Sequence, residues 1–377
     1  MKQKLKQTEI GMIPEDWDVV NIREVSDTYA GGTPSRAHKE YYNGNIRWVK
    51  SGEINLGEIF ETGEKITETA LKNSSVKEIP ENTVLVAMYG ATAGKVGILK
   101  VKGTANQAVL AVPNNKNKFH YQFMYYLLSS KTNKLINSTQ GTGQPNLSKF
   151  LVDNLELQFP QLSEQKAISE VLYTIDKRLD IVERERRSIE RLKVGFMKEL
   201  FDGKWKKVKL GEIISLEYGK GLSEKERKGG KFAVYGSNGI IGYHTSSLVK
   251  GPGIIVGRKG SIGEVCMSEI DFWPIDTSYF VVLKQDLNLK WVYYLLTTLN
   301  LSKLNTATGI PGLNRDLAYG QEVRLPSLKE QNRIAEILIT LDKKITIQSN
   351  KKFKLERVKK SLMDDLLTGK KRVKVND

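Results

Sequence analysis

The chain has 377 residues, 40% of them apolar and 27% charged, a balance that argues against disorder and gives enough material for two cored domains. Its 59 basic residues against 43 acidic ones give +16 at pH 7, which favours a polyanionic partner and specifies nothing finer. The single cysteine, Cys266, excludes an internal disulfide and a cysteine-based zinc site, and His38, His120 and His244 show no ligand spacing.

In chain order, the basic start is followed by no apolar core, and the longest apolar run, Val84 to Met88, is too short to span a bilayer. These features predict a soluble, cytoplasmic protein. From Trp17 to about Pro160, short apolar runs are punctuated by Gly, Asn and Pro. Val84–Met88, Val96–Leu99 and Val109–Val112 are predicted strands, and Phe119–Leu135 a helix, which together make a mixed α/β globule.

A long amphipathic segment follows. Alternating steps of four and three from Ile168 reach Leu172, Ile175, Leu179, Val182, Arg186, Ile189, Lys193, Phe196 and Leu200, so eight of ten positions are apolar. A 3.5-residue apolar period marks a coiled-coil seam, and polar breaks pin its register. Glu164 supplies an acidic first turn and Gly203 a stop.

The chain then says the same thing again. Gly143, Pro145, Leu147, Pro160, Leu162, Glu164, Gln165, Ile168, Leu172, Asp176, Lys177, Leu200, Gly203 and Lys204 recur unchanged 166 residues later, from Gly309 to Lys370. Upstream, Trp17, Val20 and Glu24 match Trp205, Val208 and Glu212 at an offset of 188, so the first copy is longer in front. Duplication makes each copy one structural unit. The second globule has predicted strands at Gly253–Val256 and Tyr279–Leu283 and a helix near Leu289–Leu299. Its seam runs through Ile334, Leu338, Leu341, Ile345, Gln348, Lys352, Leu355, Lys359, Leu362 and Leu366, seven of ten apolar, with Gly369 as the stop. Each long helix of roughly 38 residues would reach about 57 Å. The expected class is α+β: two mixed α/β globules joined by two long antiparallel coiled-coil helices in a pseudo-two-fold repeat. Packing of each helix on its own globule is the other possibility.

Catalytic motifs fail on inspection, so the chain is expected not to be an enzyme. Gly90 to Lys95 has one residue too few for a phosphate loop, and Val96 stands where Ser or Thr should hold magnesium. There is no Asn-Pro-Pro-Tyr methylation motif, and Asp276 lacks the second acid of a nuclease cluster beside Lys284. What remain are glycine-rich loops bearing cations and amides, with Tyr89–Val96 aligned on Arg258–Val265. Because Arg and Lys bond guanine edges and Asn or Gln bonds adenine, the candidate DNA contacts are Arg47, Lys50, Lys95, Asn106 and Gln107 in the first globule. In the second they are Ser237, Asn238, Arg258 and Lys259. Gln144–Ser148 and Ile310–Arg315 either touch phosphate or start the segment leading into the long helix. Trp17, Trp48, Trp205, Trp273 and Trp291 are expected in the core rather than as stacking platforms, and Cys266 as a small buried side chain.

Glu9-Ile10-Gly11-Met12-Ile13-Pro14-Glu15-Asp16-Trp17, two copies of Leu/Phe-Pro-x-Leu-x-Glu-Gln-x-x-Ile (Phe159–Ile168 and Leu325–Ile334) and long helices ending Leu-x-x-Gly-Lys together resemble the specificity (S) subunit of type I restriction-modification systems. The resemblance implies two target recognition domains, each reading half of a split, asymmetric site on double-stranded DNA. It places these domains at residues 1–160 and 204–326, with conserved spacer helices at 161–203 and 327–377. It further implies that Ile168, Leu172, Ile175, Leu179, Ile189, Phe196, Ile334, Leu338, Leu341, Ile345, Leu355 and Leu362 form a ruler and docking surface. Two methylation subunits and the restriction subunits would be the protein partners, bringing S-adenosylmethionine, ATP and magnesium, while this chain holds no cofactor or metal. A free-standing bipartite DNA-binding adaptor is the alternative, and co-purification of a methyltransferase-sized companion separates the two.

Overall fold

The two sequence offsets meet inside a single pair of strands. In the computed structural model, which describes residues 4–137, 146–304 and 312–374, Val20 on Asp18–Asn21 pairs with Leu157 on Glu156–Phe159. Val208 on Lys206–Lys209 pairs in the same antiparallel way with Val323 on Glu322–Leu325. The front of each copy is thus fastened to the strand that leads into its long helix. Gly143, Gln144 and Pro145 of the first loop, and Gly309, Ile310 and Pro311 of the second, lie outside the described residues.

The chain forms two compact units, residues 1–181 with 352–377 and residues 182–351. The division falls inside both long helices and not at the borders expected near residues 160, 203 and 326. It does so because the seam residues at each helix end are buried with a globule: Ile168, Leu172 and Leu366 in the core of unit 1, Ile334 and Leu338 in that of unit 2.

Unit 1 contains a five-stranded sheet in the order Tyr29–Ala30, Val109–Val112, Thr83–Ala87, Val96–Leu99, Glu58–Ile59, and a three-stranded sheet of Thr104–Ala105, Tyr42–Val49 and Lys65–Ile66. The strand Thr83–Ala87 is buried along its whole length, as its uninterrupted apolar run foretells. The helix Tyr121–Asn137 covers the larger sheet and sends Phe123, Met124, Leu127 and Leu128 into the core. Unit 2 has a four-stranded sheet, Ile214–Tyr218, Ser278–Leu283, Gly253–Gly257, Val265–Ser268, and a three-stranded one, Gly239–His244, Phe232–Gly236, Phe272–Pro274. Its helix Leu289–Thr298 plays the same covering part. Trp17, Trp48 and Trp291 are core residues as expected, whereas Trp205 and Trp273 are only half-buried. Cys266 is also half-buried rather than enclosed, with burial and Glu264 pushing its thiol pKa up.

The long helices run Leu162–Phe201 and Leu328–Leu366. Neither they nor any other helix of the described residues is long and apolar enough to cross a membrane. Within unit 1, Asp176 of the first helix meets Lys359 of the second, and Leu172 and Ile168 share a core with Leu362 and Leu366. Within unit 2, Lys193 meets Asp342 and Glu185 meets Gln348. Residue numbers rise on one helix as they fall on the other in both units, so the pairing is antiparallel. All the apolar seam positions are buried or half-buried except Phe196, which is 38% exposed. Towards that helix end Met197, Leu200 and Phe201 pack into the core of unit 2 instead. A straight helix drifts by some 20° per heptad against a strict 3.5 repeat, and the apolar stripe moves with it.

Two polar fastenings hold each globule to its long helix. Gln165, buried, accepts from His120 N at 2.9 Å and donates to Pro160 O at 2.9 Å. Gln331 repeats both bonds with Asn288 N (2.9 Å) and Pro326 O (3.0 Å). Further along, Tyr126 donates to Asp176 at 2.8 Å and Tyr294 to Asp342 at 2.7 Å. With the covering helix tied at two points about three turns apart on the long helix, the globule cannot pivot on it.

Candidate nucleic-acid interface

The predicted contact residues of unit 1 gather at one end of its five-stranded sheet. Ala87 pairs with Val109 and Val86 with Val96, so the loop carrying Lys95 and the turn at Asn106–Gln107 emerge side by side. Asn106 N donates to Val49 O at 2.9 Å, which brings Lys50 to the same place, and Leu147 N donates to Met88 O at 2.9 Å. Gly90 and Gly94 take φ of +76° and +77°, a left-handed conformation open to glycine at little cost.

The cations at this end are not equally available. Lys95 and Gln107 are exposed, while Asn106 spends its side-chain oxygen on Ala108 N at 3.2 Å. Arg47 pairs with Glu61 at 2.6 Å, and Lys50 with Glu64 at 3.0 Å. Arg36 and Lys65 join the network at 2.8 Å and 3.1 Å, so Arg47 and Lys50 are held by carboxylates that each serve two cations, and the cluster as a whole stays positive. Arg47 holds the Glu61 carboxyl below the usual carboxylate range, and Lys50 does the same for Glu64.

Unit 2 builds the corresponding end differently. Ser237 and Asn238 lie in the tight turn between strands Phe232–Gly236 and Gly239–His244. A Cβ on Gly257 would sit 2.6 Å from the Ser237 carbonyl oxygen, so the turn presses against the Arg258–Gly263 loop. Arg258 N and Lys259 N both donate to Thr277 O, at 2.9 and 3.1 Å, and Leu313 N donates to Arg258 O at 2.8 Å. All four predicted residues of this unit are thereby brought together.

The hydrogen bonds also correct the expected alignment of the loops. Gly94 N bonds Ala87 O and Gly263 N bonds Gly257 O, while the bridge of Tyr89 with Asn146 answers that of Lys259 with Gly312. Tyr89 therefore corresponds to Lys259, and Met88 to Arg258, because the first copy carries one extra residue between its two left-handed glycines.

Tyr218 at this end escapes the sequence reading, and Arg315 enters it only as the last residue of the Ile310–Arg315 segment. Tyr218, 48% exposed, closes the strand Ile214–Tyr218, and Arg315 starts the short helix Arg315–Tyr319. The guanidinium carbon of Arg258 lies 4.7 Å from the Tyr218 ring centre, and that of Arg315 lies 5.1 Å from it. Arg315 stands inside a repeated motif, but nothing local shows that it meets Arg258, since Tyr218 lies about a hundred residues earlier. Ser148 and Asn314 cap short helices, through Leu151 N at 3.2 Å and Leu317 N at 3.1 Å. The described part of each segment thus starts a short helix that precedes the last strand before the long helix, while Gln144, Pro145, Ile310 and Pro311 lie outside the described residues. Among the described residues, no group of three or more His, Cys, Asp or Glu is placed to hold a metal ion.

Comparison with known proteins agrees with this architecture. The family described as type I restriction modification DNA specificity domain matches twice, over residues 14–191 and 202–357. The MjaVIII specificity subunit of Methanocaldococcus jannaschii is 26% identical over 96% of this chain and 94% of its own length. The EcoprrI specificity subunit of Escherichia coli is also 26% identical, over 85% of this chain and 86% of its own. The crystal structure of the S subunit from M. genitalium shares the fold, with a TM-score of 0.67 at 21% identity, over 97% of this chain and 99% of that one. With the family model matching twice on a duplicated chain, over residues 14–191 and 202–357, this protein belongs to the type I restriction-modification DNA specificity family and is a non-catalytic DNA-recognition subunit.

Proposed function

We propose that unit 1 and unit 2 each read one half of a bipartite, asymmetric DNA site, and that the paired long helices set the number of unread base pairs between the halves. Two methylation subunits dock on this chain, and restriction subunits join them for cleavage. S-adenosylmethionine, ATP and magnesium then belong to those companions, and the assembly works in the cytoplasm.

The observation that carries this reading is the contrast between an invariant fastening and a variable end. Gln165, Tyr126, Asp176 and Lys359 recur in place as Gln331, Tyr294, Asp342 and Lys193. The loops at the far end share their main-chain bonds but not their side chains. A common mount with dissimilar contact surfaces suits two unequal half-sites.

Mapping methylated adenines across the host genome, with and without this chain, tests the proposal. The expected result is one motif of two short, unequal halves around a fixed gap, present only with the chain. An unchanged methylation map would defeat it.

A further inference from the structure

At two of three equivalent backbone positions the units differ in chemistry, and at the third they share a cation in different surroundings. Gly219 N donates to Ser278 O as Gly31 N donates to Val109 O, which sets Tyr218 where unit 1 has Ala30. Leu313 N donates to Arg258 O as Leu147 N donates to Met88 O, which sets Arg258 where unit 1 has a buried methionine. Arg315 follows the cap Asn314 as Lys149 follows the cap Ser148. Lys149 is neutralised by Asp153, whereas among the described residues neither Arg315 nor Arg258 has a carboxylate within ion-pair distance.

Each arginine is nonetheless held in place. Arg258 Nη1 donates to Asp276 O at 2.8 Å, and Arg315 Nη1 reaches Leu216 O at 3.4 Å. Both guanidinium groups lie by the Tyr218 ring, and Arg258 also lies 5.9 Å from the ring centre of Tyr279. Two like charges beside one half-exposed ring, with no carboxylate within ion-pair distance among the described residues, repel each other. A ligand rich in acceptors would relieve that repulsion.

The planarity of the arrangement selects among acceptors. A phosphate accepts from any direction and needs only a nearby cation, whereas the O6 and N7 atoms of guanine need a guanidinium fork held in a set plane. The Nη1 bond to a main-chain carbonyl and the neighbouring aromatic rings restrict the guanidinium of Arg258 in this way.

Resting on the half-site reading above, we propose that Arg258 reads a guanine in the half-site taken by unit 2, with Tyr218 and Arg315 as positioning residues that fix its plane and add positive charge. Unit 1, with Met88 and Ala30 in these places, has no such reader and takes its half-site by other groups.

The test uses the full chain with its methylation subunits, comparing the parent with Arg258→Ala, Arg258→Met and Tyr218→Leu by adenine-methylation mapping and by binding to duplexes varied at each position. Expected is a G·C pair in one half-site at which Arg258→Ala and Arg258→Met both lose about tenfold or more in discrimination. Tyr218→Leu should weaken the same position, while the other half-site stays as in the parent, which also reports that the variants fold. A uniform loss on all sequences, with a shallower salt dependence and an unchanged motif, would make Arg258 a phosphate contact and overturn the inference. Survival of the motif at full strength in Arg258→Ala would overturn it as well. A parent chain that directs no methylation overturns the half-site reading itself, and is told apart by the absence of any motif.

Discussion

The carboxylate of Asp176 lies 2.6 Å from the ammonium of Lys359, and the same distance separates Asp342 from Lys193. Lys193 and Lys359 are two of the five polar breaks of the apolar seams, and each reaches the aspartate of the facing helix that also receives a tyrosine hydroxyl from the globule. Lys359 further lies 5.5 Å from the ring centre of Tyr126, and Lys193 lies 5.3 Å from that of Tyr294. A seam of leucines alone slides by a heptad at little cost, whereas a half-buried ion pair is satisfied in one register only.

Replacing Lys359 by Met removes the charge and leaves Asp176 with Tyr126 alone. The expected loss is about 1–2 kcal/mol in denaturant unfolding. Asp176→Asn combined with Lys359→Met should recover part of it, giving a coupling of about 1 kcal/mol in a double-mutant cycle. Strictly additive losses would show that the two side chains do not act together.

Burial and the neighbouring Asp176 raise the pKa of the Tyr126 hydroxyl above its ordinary value of 10.0. A group with a raised folded pKa contributes stability that is fully present below its unfolded pKa and is lost as pH rises above it. Thermal melts should therefore fall in temperature above about pH 10, because the unfolded chain releases the proton first. Tyr126→Phe should flatten part of that alkaline fall, and an identical slope in both proteins would refute the assignment.

Gln165→Ala leaves the half-buried main-chain N–H of His120 and the buried carbonyl of Pro160 unpaired. The cost should be about 2–3 kcal/mol by chemical denaturation, with Gln331→Ala matching it in unit 2. A loss no larger than that of an ordinary surface substitution would mean that water replaces the side chain.

Arg372 ties the tail of unit 1 to its front, donating to Asp16 at 2.7 Å and to the buried Glu164 at 2.6 Å, while Trp17 Nε1 donates to Glu164 at 2.9 Å. Arg372→Ala should lower the stability of unit 1 at neutral pH by about 2 kcal/mol, since it leaves the Glu164 charge with the indole alone. The hydrogen bond from Arg372 lowers the Asp16 pKa below 3.8. That part of the stabilisation is present above pH 3.8 and lost as pH falls through the depressed value. The gap between parent and variant melting temperatures should accordingly narrow in acid, and a gap constant down to about pH 2 would contradict it.

Inserting one heptad into each long helix, at Ile181 and at Lys351, keeps the seam in phase and adds roughly 10 Å. The gap between methylated half-sites should then widen by about three base pairs at about 3.4 Å each. An unchanged gap would separate helix length from site geometry.

Much of the scaffold was legible from the chain alone. The 166-residue repeat, the strand runs at Val84–Met88 and Val109–Val112, and the seam through Ile168 and Leu172 depend on local periodicity, which side-chain order along the chain encodes directly. Less was legible at the reading ends. Nothing adjacent to Arg47 shows that it will pair with Glu61, or that Tyr218 and Arg315 will meet at Arg258. The loop alignment also slipped by one residue, because glycine spacing alone does not reveal which amide bonds which carbonyl.

The sequence by itself determined two copies of one mount and two long helices, since duplication and period are properties of order along the polymer. Only the tertiary structure decided which cations stay free, which polar breaks find a counter-charge, and how unlike the two contact surfaces are. Those outcomes depend on distances between residues far apart in the chain, and electrostatic and hydrogen-bond energies follow distance in space.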